Sequence, residues 1–114
     1  MLENNQLRKK MNKGIPVIGT WNTLASPLMT EVFAQAGLDF QIIDLEHGPF
    51  ILDQIHLHVS ACENSIGCTP LVRVPTNDEW MSLQALDQGA HGIVVPHIDS
   101  VDSAQNFVNA TKYY

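Results

Sequence analysis

Apolar residues along the chain fall into short continuous runs that alternate with stretches of helical period. A run over residues 16–21 reads as a first strand. Ser26-Pro27 follows as an N-cap with proline at the first helical position. Leu28, Met29, Val32, Phe33 and Ala36 then repeat at the helical spacing, which places them on one buried face, and Gly37 supplies the stop. A second strand is predicted over 40–44, followed by a polar turn through Gly48-Pro49 and a helix over 52–64 with Leu52, Ile55, Val59 and Cys62 along one side. A third strand covers 70–74, and Thr76-x-x-Glu79 reads as a capping box for a helix that turns Trp80, Leu83 and Leu86 inward and ends at Gly89. A fourth strand spans 92–95 and closes at Pro96, and a last helix starts near Ser100 with Val101, Ala104, Phe107 and Val108 on its buried face.

Strand followed by helix, four times over, predicts an α/β chain with a parallel sheet and right-handed crossovers. The strands are short and almost wholly apolar, as expected when both faces of a sheet are covered. No linker or low-complexity tract divides residues 1–114, so the expectation is one domain or part of one. Four strands cannot close a barrel. The periodicity therefore leaves open a small open sheet and a piece of a larger barrel that runs out after the fourth helix, at Lys112-Tyr113-Tyr114.

Composition is that of a globular chain, with 45% hydrophobic residues and a net charge of -6 at pH 7. Arg8, Lys9, Lys10 and Lys13 form a basic lead read as a solvated first helix or arm, and Arg73 is the one cation between Lys13 and Lys112. That distribution gives no basic face for nucleic acid. The longest apolar runs are only a few residues, too short to span a membrane, and no apolar leader precedes the first strand, so a cytoplasmic location is expected. Cys62 and Cys68 have neither metal-type nor redox-type spacing and are expected to be free thiols.

Chemistry collects at the carboxyl ends of the strands. The first ends at Trp21-Asn22, the second at Asp44-Leu45-Glu46-His47, the third at Arg73 and the fourth at Pro96-His97. Loops and helix N-termini converge on that edge of a parallel sheet, which is where ligands bind. Arg73 stays charged when buried and needs a carboxylate. Either it forms a salt bridge to Asp44 or Glu46, or its planar fork grips a substrate carboxylate or developing enolate oxygen. His47 can move a proton near neutrality. Asp44 and Glu46, two apart on an extended segment, point the same way and could hold a metal or its waters. Asp87 sits in the last turn of a helix, where a carboxylate opposes the helix dipole, and pairing with a histidine would offset that placement. His56 and His58 are two apart on a helix and cannot share a metal, and His91 and His97 carry no spacing signal. Trp21 and Trp80 read as packing residues, although Trp21 lies at the active face. No glycine-rich phosphate loop and no G-x-S-x-G elbow is present.

At Gly19-Thr-Trp21, Ile43-Asp-Leu-Glu-His-Gly-Pro49, Val72-Arg-Val-Pro75, Leu86-Asp87-Gln-Gly89 and Val94-Val-Pro96 the sequence resembles the HpcH/HpaI aldolase/citrate lyase family, the class II pyruvate aldolases. The similarity runs from about Ile15 to Lys112. It implies the N-terminal half of a (β/α)₈ TIM barrel and a divalent metal, Mg²⁺, Mn²⁺ or Co²⁺, in the complete protein. It further implies His47 as general acid/base, Arg73 as the group that stabilises the enolate, and Asp87 as a partner of the histidine, often across a subunit interface. Asp44 matches an aspartate near the metal's waters, with Glu46 and Trp21 in the same shell. The family's metal ligands match no position here and are expected beyond residue 114. The implied reaction is reversible aldol cleavage of a 4-hydroxy-2-oxo acid to pyruvate and an aldehyde, in a dimer-based hexamer, with the 114-residue chain inactive alone. Two rivals remain: a non-catalytic truncated or split piece, and a small flavodoxin-like domain in which Arg73 grips an anion.

Overall fold

A computed structural model describes residues 4–112, so Tyr113 and Tyr114 of the expected stopping point lie outside it. The elements in chain order are α1 (Gln6–Asn12), β1 (Gly19–Asn22), α2 (Pro27–Gln35), β2 (Phe40–Asp44), α3 (Ile55–Glu63), β3 (Thr69–Arg73), α4 (Glu79–Asp87), β4 (Gly92–Val94) and α5 (Val101–Ala110). A 3-10 turn, Leu52–Gln54, leads into α3. Asn5 caps α1 by accepting from the Arg8 N–H, Ser26 caps α2 by accepting from Met29 and is followed by Pro27, and Ser100 with Ser103 closes a capping box on α5. Gly37 and Gly89 follow α2 and α4 with φ of 91° and 100°, the left-handed conformation that ends a helix and that only glycine adopts without strain.

The sheet is parallel throughout, in the order β1-β2-β3-β4. In-register neighbours place Trp21 beside Ile42 and Ile42 beside Leu71, with Asp44 beside Arg73 and Arg73 beside Val94. Side chains alternate across the sheet. One face therefore carries Asn22, Gln41, Ile43, Pro70 and Val72, all buried beneath the helices. The opposite face carries Trp21, Ile42, Leu71, Arg73 and Val94, all partly open. Within residues 4–112 the helices clothe the first of these faces. The main core, Ile43, Ile55, Val59, Val72, Val74, Ala85 and Ala90, lies on that covered side. Among the described residues no helix is long and apolar enough to cross a membrane.

Several helix faces also depart from the apolar pattern. In α2 the buried residues are Thr30 and Ala34, whereas Leu28 is 70% exposed. Small and hydroxylated side chains let α2 approach β2, where Gln41 lies beneath it and hydrogen-bonds to the Thr30 carbonyl. Trp80 is 59% exposed, and α4 instead buries Ser82 and Ala85. Asp78, not Thr76, is the cap of α4, accepting from the Met81 N–H, so the expected capping box gives way to a nearer cap. Val101 and Val108 are exposed because α5 packs against α4 beside β4, an edge strand. The basic lead is helix α1. It is not loose, since Lys10 pairs with Asp39 and Asn5 reaches Thr69 and His91 at the starts of β3 and β4. Lys10 and the Ile18 N–H together hold the Asp39 carboxyl below its ordinary value.

Candidate active site

The carboxyl edge of the sheet assembles in three layers. Register brings Asp44 directly beside Arg73, and the guanidinium closes a two-point pair with it: Nε to Oδ1 at 3.0 Å and Nη2 to Oδ2 at 2.5 Å. Asp44 Oδ1 also accepts the backbone N–H groups of Glu46 (2.9 Å) and His47 (3.1 Å). Burial alone would raise the Asp44 carboxyl. The Arg73 hydrogen bond and the two N–H donors outweigh it and hold the carboxyl below its ordinary range. The same pairing with Asp44 raises the Arg73 guanidinium. The salt-bridge reading of Arg73 is therefore realised. It also serves the functional reading, because Nη1 makes no hydrogen bond among the described residues and the group is fixed in place.

Trp21 sits on β1, two strands from Arg73, and the Arg73 guanidinium carbon stands 4.2 Å from the centroid of its ring. A cation over an indole face is an attractive contact, so Trp21 is more than a packing residue: it is the platform of the arginine. On the loop after β2, His47 Nε2 lies 3.0 Å from Glu46 Oε1, and the His47 side chain is 68% exposed. The other Glu46 oxygen, Oε2, is buried without a hydrogen bond and 4.0 Å from Arg73 Nε. A buried carboxylate oxygen with no hydrogen-bond donor suits a proton-bearing group, such as a water on a metal. Among the described residues no three His, Cys, Asp or Glu side chains converge as a metal cage. Glu46 thus fits contact with a metal's water, and the described residues offer no cage of their own.

The turn that presents Glu46 and His47 is tightened by a hydrogen bond from the Gly48 N–H to the Asp44 carbonyl at 2.9 Å. A Cβ on Gly48 would stand 2.5 Å from that same backbone oxygen and 2.8 Å from the Phe50 ring. Gly48→Ala is expected to destabilise the full-length protein by about 1–3 kcal/mol, measured by urea unfolding, and to displace His47. An unchanged unfolding midpoint would show that the turn yields freely.

Five of the six predicted site residues, Trp21, Asp44, Glu46, His47 and Arg73, meet on this edge. Asp87 is carried by a different element, the last turn of α4, where it is exposed; its neighbour Gln88 ties α4 to the start of α3 through Leu52 O and His56 N. His97, beside the exposed end of β4, has φ 58°, a left-handed conformation uncommon outside glycine.

Sequence reasoning missed a polar cluster under the helices. Asn22 Nδ2 donates to Thr30 Oγ1 (3.0 Å) and Gln41 Oε1 (3.1 Å), and Thr30 Oγ1 lies 2.8 Å from His58 Nδ1. It secures the end of β1 directly behind Trp21. A glutamine inside an otherwise apolar strand was the available signal. Burial lowers the His58 pKa below its ordinary 6.5 and keeps the ring neutral. The unfolded chain therefore binds the proton first, so stability is full above about pH 6.5 and declines as pH falls from there towards the depressed folded value. In the full-length protein the urea midpoint is expected to drop between about pH 7 and 5, and His58→Gln should flatten that slope. Parallel pH curves for the two proteins would contradict it.

A parallel βα sheet with an aspartate-clamped arginine and a histidine at its carboxyl edge is an α/β arrangement of the barrel type with a candidate site on that edge. The chain belongs to the HpcH/HpaI aldolase/citrate lyase family, whose profile matches residues 17–114. It is 37% identical over 109 residues to the hydroxypyruvate/pyruvate aldolase of Agrobacterium fabrum, covering 96% of this chain and 41% of that protein. It is 35% identical to the 4-hydroxy-2-oxovalerate aldolase of Novosphingobium aromaticivorans, covering 96% of this chain and 42% of that protein. A family member of known structure from Burkholderia cenocepacia superposes with a TM-score of 0.87 at 30% identity, over 96% of this chain and 44% of the other. The chain thus spans less than half the length of these relatives and has the fold of one half of a TIM barrel, which displaces the flavodoxin-like alternative.

Proposed function

We propose that the complete protein is a metal-dependent carbon–carbon lyase. It would cleave a 4-hydroxy-2-oxo acid reversibly to pyruvate and an aldehyde. The observation that carries this reading is the Arg73 guanidinium, fixed by Asp44 on one side and Trp21 on the other at the carboxyl edge of the sheet. The names of the relatives, an aldolase for hydroxypyruvate/pyruvate and one for 4-hydroxy-2-oxovalerate, support the reaction class.

In this reading His47 accepts the proton of the substrate's 4-hydroxyl group as the bond between C3 and C4 breaks, and returns a proton to C3 of the enolate. Exposure of its side chain leaves Nδ1 within reach of a ligand or of water. Glu46 orients the ring through Nε2. Arg73 donates to the oxygen on which the enolate charge develops, and donors fixed before reaction lower the barrier because they need no reorganisation. Asp44 keeps that donor aimed. Asp87 is assigned by the family resemblance to pair with a neighbouring subunit's histidine in a dimer-based hexamer. A divalent cation, Mg²⁺, Mn²⁺ or Co²⁺, would supply Lewis-acid polarisation of the 2-oxo acid. Its ligands would lie outside residues 1–114, so the 114-residue chain alone would be inactive. A cytoplasmic location is part of the same proposal.

The test is pyruvate release from 4-hydroxy-2-oxovalerate by the full-length protein, assayed after chelation and again after adding each cation. Pyruvate that appears only with metal is the expected result. Turnover surviving chelation would reject the metal, and no pyruvate under any condition would reject the lyase.

A further inference from the structure

Cys62 and Cys68 lie on the helix-covered side of the sheet, apart from the Arg73 edge. Cys62 is in the last turn of α3, and Cys68 stands just before β3. Both are free and buried, and their sulfurs are 3.1 Å apart, inside van der Waals contact for two sulfur atoms. The connecting loop returns through Gly67, whose φ of 103° lets the chain reverse between the end of α3 and β3. Gln41 Nε2 points at both sulfurs, at 3.8 Å from Cys62 and 3.7 Å from Cys68. Among the described residues no third ligand completes a metal site around them. Cys68, unlike Cys62, also lines a shallow cleft of about 170 Å³ with Asn5, Glu63, Ser65, Thr69 and His91.

We propose that Cys62 and Cys68 are a reversible disulfide site, oxidised by a small hydroperoxide that enters from this cleft and reaches Cys68 first. The Cys68 thiolate attacks one peroxide oxygen, the O–O bond breaks, and hydroxide leaves to become water. Cys68 is then a sulfenic acid. The Cys62 sulfur attacks the Cys68 sulfur, a second water departs with the Cys62 proton, and the S–S bond forms. The balance is two thiols and one hydrogen peroxide to one disulfide and two waters. The Cys62 thiol donates towards Cys68, which favours thiolate on Cys68, whereas the same contact and burial push the Cys62 thiol up. The cleft opens onto Cys68 and not onto Cys62, which assigns Cys68 as the attacking sulfur and Cys62 as the resolving one. The ring closed spans only residues 62–68. Closing so short a loop removes little chain entropy, so a thiol reductant should reopen it.

The experiment exposes the folded full-length protein to hydrogen peroxide, alkylates remaining thiols under denaturing conditions, and maps the peptides by mass spectrometry. The expected product has lost two hydrogens and carries a Cys62–Cys68 linkage that dithiothreitol reverses, so alkylation of the pair falls from complete to near none and then recovers. Cys62→Ser should accumulate a sulfenic acid at Cys68 that dimedone traps, and Cys68→Ser should leave Cys62 unreacted. Full alkylation of both cysteines in peroxide-treated wild-type protein would overturn the proposal. So would a sulfinic acid at Cys68 without the cross-link. The wild-type map decides the question even where a serine variant folds poorly.

Discussion

Replacing Arg73 by alanine in the full-length protein is expected to lower both activity and stability. Activity should fall because a fixed donor to a developing oxyanion is lost, an effect of about 10²–10³ in kcat. Stability should fall because Asp44, only 1% exposed, is left without its cation. Removing one partner of a buried pair costs about 3–5 kcal/mol, and the smaller figure applies here because Arg73 keeps some access to water. The pH dependence separates the pair from a general packing effect. In the wild type the Asp44 carboxyl is lowered, so its contribution is full above the ordinary carboxyl value of 3.8 and is lost as pH falls through the lowered one. Without Arg73 the carboxyl loses its hydrogen bond and its nearby positive charge, rises from its wild-type position, and acid unfolding should begin at a higher pH. Arg73→Lys should recover part of the stability and little of the activity, since an ammonium lacks the two-point fork. Urea unfolding across pH beside steady-state pyruvate release reads all of this. If Arg73→Ala unfolds with the wild-type acid limb, the pair carries none of the stability assigned to it.

His47→Ala should behave in the opposite sense. The side chain is largely exposed, so the unfolding midpoint should move by only about 0.5 kcal/mol or less, as for ordinary surface sites. Turnover should fall by about 10²–10⁴, the usual worth of a positioned proton carrier. The loss should fall mainly on kcat, since His47 acts on the reacting proton, and added imidazole should restore a measurable fraction. An unchanged kcat would remove His47 from the chemistry and leave Glu46 as the nearest proton acceptor. The two variants together separate a residue that builds the site from one that uses it.

Much of this was written in local chemistry. Ser26 with Pro27 set the start of α2, Gly37 and Gly89 set two helix ends, and residues 40–44 were placed as β2 with the boundaries observed. The Asp-x-Glu-His segment and the arginine one strand later marked the site edge, because polar residues at the ends of apolar runs have few other reasons to be there. Which helix face is buried was not local. Leu28, Val32 and Val101 repeat at the right spacing, yet they are exposed, because spacing fixes that a stripe exists and only neighbouring elements decide what covers it. The Thr76 cap failed for a related reason: Asp78 offers a carboxylate two residues nearer the first turn, and the structure uses it.

By itself the sequence determined the order of strands and helices, the parallel sheet, the family and the identity of the reactive side chains, since each rests on residue type and spacing within a short stretch. The tertiary structure alone decided what those side chains do to one another. Asp44 and Arg73 are 29 positions apart and become a bidentate pair only through β2–β3 register. The β1–β2 pairing, added to it, brings Trp21 under the guanidinium from two strands away. Cys62 and Cys68, with an undistinguished spacing, become touching sulfurs because the chain reverses at Gly67 between α3 and β3. Contacts of this kind are set by the path of the backbone through space, which no local pattern of residue types encodes.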